Sequence, residues 1–249
     1  MRPVSKSNLD KLHAELFLQP GDVVFDVGGN VGRTSEIYVE HGAGNVHVFE
    51  PEPALASDLS KTFSDNEKVT VHAYGLGIND GYYRFFVSEE NSGSHTLSRS
   101  FAEALDEAHG HVKPREEVLV RIRPLDSLDL DRMDYLKIDT EGSEFDVLEG
   151  ARETLKTRPP RFVQVECFPV PNFGRFRSTI SFLVNHFKYV WAPTVTSCGL
   201  YEANDAKNCF SKPGFLDTWL QDGNPLICAS NTGPAELVKH PHPYITVVA

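Results

Sequence analysis

Asp22-Val-Val-Phe-Asp26-Val-Gly28-Gly29-Asn30-Val-Gly32 decides the reading of this chain. A short apolar run, Val23 to Phe25, leads into an acid and then a glycine-studded turn. Downstream, a second apolar run from Val46 to Phe49 stops at Glu50 and Pro51. This layout predicts a buried strand, a tight turn that opens a helix, and a neighbouring strand with a carboxylate at its tip. A carboxylate so placed can accept hydrogen bonds from both hydroxyls of a ribose, which points to a ligand containing a nucleoside.

Outward from this stretch, helix and strand signals alternate. Ser7 with Asp10 resembles a capping box, and Leu9, Leu12, Leu16 and Phe17 recur at helical spacing, so residues 1–20 are expected to carry an N-terminal helix. A helix is expected over 31–41, closed by Gly42 and Gly44, and another opens at Pro53 with Leu55, Leu59 and Phe63 on one face. Val69 to Tyr74 reads as a third strand. Residues of about 78–124 break the alternation: strands Tyr82–Val87 and Val118–Ile122 flank the polar loop Ser88–Ser100 and a short helix near 102–109. Insertions of this kind shape pockets. Alternation resumes with strand Tyr135–Asp139, one helix carrying Phe145, Leu148, Arg152 and Leu155, strand Phe162–Cys167, a helix with Ile180, Leu183, Val184 and Phe187, and strand Tyr189–Trp191. Repeated β-α units predict an α/β fold with a mostly parallel, doubly wound sheet and helices on both faces. From Pro193 the periodicity fades, with strand-like runs only at Pro225–Ala229 and Tyr244–Val248. The expected organisation is one domain over 1–249, with a core at 21–192 and a C-terminal extension at 193–249 as a substrate-pocket element.

A chain of 249 residues with 40% hydrophobic and 24% charged residues has the composition of an ordinary globular protein. Its apolar runs are too short to span a bilayer. Met1 to Asp10 holds no hydrophobic segment, so no secretion signal is expected. The cysteines, Cys167, Cys198, Cys209 and Cys228, form no C-x-x-C pair and read as free thiols in a reducing, cytoplasmic compartment. A net charge of −11 disfavours a phosphate backbone as partner, so no nucleic acid is expected.

The glycine spacing selects among nucleoside ligands. No register of Gly28, Gly29 and Gly32 satisfies the dinucleotide spacing G-x-G-x-x-G. Asp26-x-Gly28-x-Asn30-x-Gly32 instead resembles motif I of class I S-adenosylmethionine-dependent methyltransferases. That resemblance implies a turn packed on the amino-acid and ribose parts of the cofactor, Asp26 holding the methionyl ammonium directly or through water, and adenine near Gly75, Leu76 and Gly77.

Tyr135-Leu-Lys-Ile-Asp139-Thr-Glu141-Gly-Ser-Glu144 is the second informative stretch. Strand alternation sends Lys137 and Asp139 to one face and Asp139 to the same sheet rim as Gly28 and Glu50. Glu141 follows in the turn, Glu144 and Asp146 suit a helix start, and Glu166 ends the next strand. Lys137 reads as the ion-pair partner that keeps these acids folded. Together with motif I, Val48-Phe-Glu-Pro, Val147-Leu-Glu-Gly-Ala and Gln164-Val-Glu, this element resembles the FkbM family of methyltransferases over about 21–168. The resemblance implies a Rossmann-like class I methyltransferase fold, S-adenosylmethionine as cofactor, and O-methylation of a small-molecule, sugar or glycan hydroxyl.

An alcohol must lose its proton as it accepts a methyl group, so the rim should hold a base. Asp139 is the first candidate for base or orienter, followed by Glu141 and Glu166. The same three carboxylates would suit Mg²⁺ as metal ligands. His95 becomes a candidate base if the polar loop folds over the site. The competing readings are a nicotinamide-dependent oxidoreductase, a nucleic-acid methyltransferase and a non-catalytic S-adenosylmethionine-binding protein. The nucleic-acid reading lacks its motifs, since Pro159-Pro160 is followed by Arg161 and Cys167 precedes Phe168.

Overall fold

Strand order places the site. In the computed structural model, which describes residues 6–88, 91–109, 116–130, 132–169, 172–195, 201–216 and 226–238, strand β1 (Val23–Val27) lies at the centre of the main sheet. It pairs in parallel with β2 (Asn45–Phe49) on one side and β7 (Tyr135–Ile138) on the other. β3 (Val69–His72) lies beyond β2 and β8 (Phe162–Glu166) beyond β7, again in parallel. The order therefore runs outward in one direction from β1 and resumes in the other at β7. Ligands bind at such switch points, outside the carboxyl ends of the strands.

Alternate strand residues feed two cores. Val24, Val46, Val48 and Phe162 face α1 (Lys6–Phe17), α2 (Arg33–Glu40) and α3 (Pro53–Thr62) through Phe17, Tyr38 and Leu59. Phe25, Phe49, Ile138 and Val165 face the opposite way, toward α5 (Glu144–Glu149), α6 (Arg152–Thr157) and α7 (Phe173–His186) through Leu148, Leu155 and Phe182. The central strands β1, β7 and β8 are buried on both sides, as their mostly apolar residues require.

Two expectations are corrected, and strands of the insertion form a small sheet of their own. The helix expected to carry Phe145 through Leu155 is broken into α5 and α6 at Gly150. A Cβ on Gly150 would lie 1.9 Å from the Gly77 carbonyl oxygen, so close backbone approach interrupts the helix. Asp126 then caps α6 from outside, accepting from the Glu153 and Thr154 amides. Strands β5 (Gly81–Val87) and β6 (Glu116–Arg123) form a separate sheet with β4 (Gly75–Leu76), followed in the chain between β5 and β6 by α4 (Arg99–His109). Finally, described strands after Pro193 belong to the main sheet. β9 (Tyr189–Val195) runs past the expected end, β10 (Tyr201–Asp205) pairs along it, and β11 (Leu226–Ser230) inserts antiparallel between β8 and β9. All of β11 is buried, which explains its continuous apolar run. The Tyr244–Val248 run and Cys198 lie outside the described residues.

α1 is pinned to the sheet by a buried polar network. The Gln164 amide nitrogen donates to Asp10 (2.8 Å), while its oxygen pairs with His13 Nδ1 (2.8 Å) and accepts from the Tyr135 hydroxyl (3.0 Å). His13 Nε2 is buried without a hydrogen-bond partner among the rings of Phe17, Phe162 and Tyr201. Burial accordingly lowers its pKa to about 4. The unfolded chain takes up this proton as pH falls through 6.5 and the folded chain does not, so the stabilisation is complete above 6.5 and is lost towards 4. The Glu50 carboxyl, raised to about 7, acts in the opposite direction over an overlapping range, so the effect is read as a difference. The expected outcome is that the stability advantage of the wild type over His13→Gln shrinks by about 2 kcal/mol between pH 7 and pH 5, measured by urea unfolding.

Candidate active site

The chain turns sharply where β1 ends. Gly28 has φ 85°, and a Cβ there would lie 1.8 Å from the Asp139 carbonyl oxygen. Only glycine lets the ends of β1 and β7 approach this closely. The amides of Gly28 and Gly29 both donate to the Phe49 carbonyl, tying the turn to β2. Gly29 packs on Val48 of β2 and Gly32 on Leu59 and Phe63 of α3 and its cap, so the start of α2 sits close to both. Asn30 is left-handed at φ 48°, and its Oδ1 is buried without a hydrogen-bond partner.

A lysine holds the turn from below. Lys137 Nζ lies 2.9 Å from Asp26 and 3.4 Å from Asp139, and it donates to the Gly28 carbonyl at 3.0 Å. Asp26 and Lys137 are register partners on adjacent strands, which brings the charges together. The other Asp26 oxygen accepts from Ser35 Oγ at 2.6 Å. Asp26 is fully buried and is absent from the cleft wall. The expectation that it meets a cofactor ammonium directly is thus corrected. Both of its oxygens are engaged beneath the turn, and it acts by holding Lys137.

Above the turn opens a cleft of about 650 Å³, including its mouth. Gly28, Asn30, Glu50, Gly75, Leu76, His95, Asp139 and Glu141 line it, together with the apolar Leu55, Phe85, Leu97 and Ile122. Glu50 is only 4% exposed. Its two oxygens accept from the Asn30 amide (2.8 Å) and the Glu52 amide (2.9 Å), which fixes the carboxylate in one orientation. Burial pushes its pKa up to about 7 despite those donors.

Described residues of the polar loop, Ser92, Gly93, His95 and Leu97, line the cleft. Phe86 and Thr96 exchange backbone hydrogen bonds, and Thr96 Oγ1 donates to the Glu141 carbonyl at 2.6 Å. His95 therefore reaches the wall, with Nε2 3.1 Å from the Ser88 carbonyl. Glu141 adopts φ 51°, a left-handed bend next to Gly142. Glu144 turns back, its Oε1 accepting from the Thr140 and Gly142 amides, as a helix-start acid does.

Glu166 stands apart. It ends β8 opposite Leu226 of β11, is 6% exposed, and lies off the cleft wall. The antiparallel return of β11, which the sequence pattern did not reveal, encloses it. Among the described residues, no group of three or more His, Cys, Asp or Glu side chains is gathered to hold a metal ion. The expected Mg²⁺ set of Asp139, Glu141 and Glu166 is therefore corrected, as is Glu166 as a cleft base. Wall residues that the sequence reading did not single out include Pro51, Leu55, Ser92, Ile122 and Ser143. The strand alternation that buries Phe85, Val120 and Ile122 together was the available signal for the inner wall of the insertion.

Residues 26–221 match the methyltransferase FkbM domain. The chain belongs to the FkbM methyltransferase family. It is thus an S-adenosylmethionine-dependent methyltransferase, with the Rossmann-like class I fold expected from that membership. Methyltransferase 1 of Beauveria bassiana is 27% identical over 172 residues, which cover 59% of this chain and 69% of that one. The 2-O-methyltransferase NoeI of Sinorhizobium fredii is 22% identical over 169 residues, covering 63% and 69%. A crystallised methyltransferase FkbM from Methylobacillus flagellatus is 19% identical with a TM-score of 0.43, covering 70% of this chain and 40% of that one. The match to that crystallised relative therefore covers less than half of its length. No helix among the described residues of this FkbM protein is long and apolar enough to cross a membrane.

Lys137→Met should destabilise the fold by about 3–5 kcal/mol in urea unfolding, because Asp26 would keep a buried charge beside Ser35 alone. Adding Asp26→Asn should recover a large part of that loss. Additive losses in the double variant would contradict the pairing.

Proposed function

We propose that the protein O-methylates a hydroxyl of a small molecule, sugar or glycan, with S-adenosylmethionine held in the cleft above Gly28. The observation that carries this reading is the backbone-fixed Glu50 carboxylate facing the same cleft as Asp139 at the switch point. The residues present fit the cofactor. Glu50 keeps acceptor capacity for ribose hydroxyls, Asn30 offers an unpartnered Oδ1 to an ammonium, and Gly75 and Leu76 with Leu55 and Ile122 supply an apolar berth for adenine. None of the described residues lining the cleft is Lys or Arg, which suits a cofactor without phosphate and disfavours a nicotinamide dinucleotide. The 2-O-methyltransferase relative supports oxygen as the methylated atom.

The cofactor supplies an electrophilic methyl group on a sulfonium, so the departing thioether is neutral and needs no acid. The chain's task is then to orient the acceptor and remove its proton. Asp139 is the base or orienter of this reading, at the rim and steered by Lys137 at 3.4 Å. Glu141 and His95 flank the same opening and can orient a polyol. In the tautomer that donates from Nε2 to Ser88, His95 carries its lone pair on Nδ1. Asp26 contributes through Lys137 rather than by contact.

Two measurements test the reading. Glu50 ionises as pH rises through about 7, and the ionised form is the better acceptor. S-adenosylhomocysteine should therefore bind about tenfold more tightly at pH 8 than at pH 6 by calorimetry, and Glu50→Gln should flatten that dependence. Asp139→Asn should keep this affinity while methyl uptake from labelled cofactor into a panel of sugars and hydroxylated small molecules falls by about 10²–10⁴-fold. Undiminished uptake would transfer the proton-accepting role to His95 or Glu141. A wild type that binds the cofactor but methylates nothing would favour the non-catalytic alternative.

A further inference from the structure

A second, tighter pocket lies on the other side of the segment that carries Asp139. Thr140, Glu141 and Ser143 line the cleft, whereas Gly142, Glu144 and Phe145 line this cavity, so the two share one turn as their partition. The insertion bridges them as well, with His95 and Leu97 on the cleft and Ser98 and Phe101 on the cavity. At Gly142 the partition carries no side chain, and a Cβ there would touch the Phe101 ring at 3.0 Å.

The cavity pairs aromatic walls with one cation. Phe101 and Phe168 pack at a tilt with ring centres 6.1 Å apart, and Phe176 also lines the space. Arg175 of α7 reaches the same space. Its Nη2 contacts Asp146 at 2.5 Å, but its Nε is buried with no hydrogen-bond partner among the described residues. Leaving a guanidinium N–H unsatisfied is costly, and an incoming acceptor oxygen would relieve that cost. The one carboxyl on the wall, Glu144, is turned into the 140–142 turn, where burial raises its pKa. In a chain of net charge −11, an arginine that lines a pocket with Phe101, Phe145, Phe168 and Phe176 stands out.

We infer that this cavity is the acceptor subsite, and that Arg175 selects an acceptor whose hydroxyl enters the cleft while a carboxylate or phosphate on the same molecule binds its guanidinium. This rests on the assignment of the cleft to the cofactor. Phe101 and Phe168 contact the acceptor's apolar face, and Asp146 is the resident counter-ion that the acceptor's anionic group displaces. A bidentate guanidinium fits either anion, so the two sources are separated by experiment.

The test uses phenyl phosphate, benzoate and phenol as probes, titrated into the full-length protein saturated with S-adenosylhomocysteine and followed by ligand-observed NMR. One or both anionic probes should bind about tenfold more tightly than phenol, and their relative affinities tell phosphate from carboxylate. Arg175→Gln should abolish that preference without changing S-adenosylhomocysteine affinity, and Arg175→Lys should retain part of it. Asp146→Asn should tighten anionic-probe binding several-fold, a gain that a purely structural ion pair would not give. If Arg175→Gln fails to fold, the Arg175→Lys and Asp146→Asn variants decide. Equal binding of the anionic probes and phenol, or an anion preference that survives in Arg175→Gln, overturns the inference. Failure of the wild type to bind S-adenosylhomocysteine would instead remove the cofactor reading, and this inference with it.

Discussion

The contact of Lys137 with Asp26, Asp139 and the Gly28 carbonyl is the constraint on which the rest of the site depends. It joins the ends of the two strands between which the sheet reverses its order. A buried ion pair is seldom a net source of stability, because desolvation offsets most of the attraction. Its value here is positional. One ammonium reads the side chain of β1, the backbone of the turn and the side chain of β7, so none of the three can shift alone. The fully buried Asp26 anchors that ammonium, and the rim residue Asp139 receives its orientation from it.

Around this anchor, three segments from distant parts of the chain form one cleft. The turn at 28–32 supplies Asn30, the turn at 139–143 supplies Asp139 and Glu141, and the insertion supplies His95. The Thr96–Glu141 hydrogen bond locks the insertion to the rim, and the Asn30–Glu50 hydrogen bond locks the tip of β2 to the first turn. Polar groups that face the opening are thereby held by backbone partners, which leaves little reorganisation for ligand binding to drive.

Much of this was legible in the residues. The apolar runs ending at Asp26, Glu50 and Asp139 announced three neighbouring strand tips, because parallel strands buried on both faces leave an unmistakable hydrophobic run. The fate of Asp26 was not legible. Spacing gives proximity to the turn, but only the strand register shows that Lys137 and Ser35 occupy its oxygens. The same holds for Glu166, whose surroundings depend on β11, a strand that arrives from sixty residues later in the chain. The break at Gly150 was hidden because it comes from a remote backbone contact with Gly77 rather than from local propensity. Local chemistry was readable, and long-range pairing was not.

The central claim is that a nucleoside sulfonium cofactor occupies the cleft with its ribose on Glu50. Co-crystallisation with S-adenosylhomocysteine tests it most directly. The expected result is ligand density between Asn30 and Leu76, with both ribose hydroxyls within hydrogen-bond distance of the Glu50 carboxylate and the sulfur turned toward Asp139. Density at another surface, or a ribose directed away from Glu50, would contradict it.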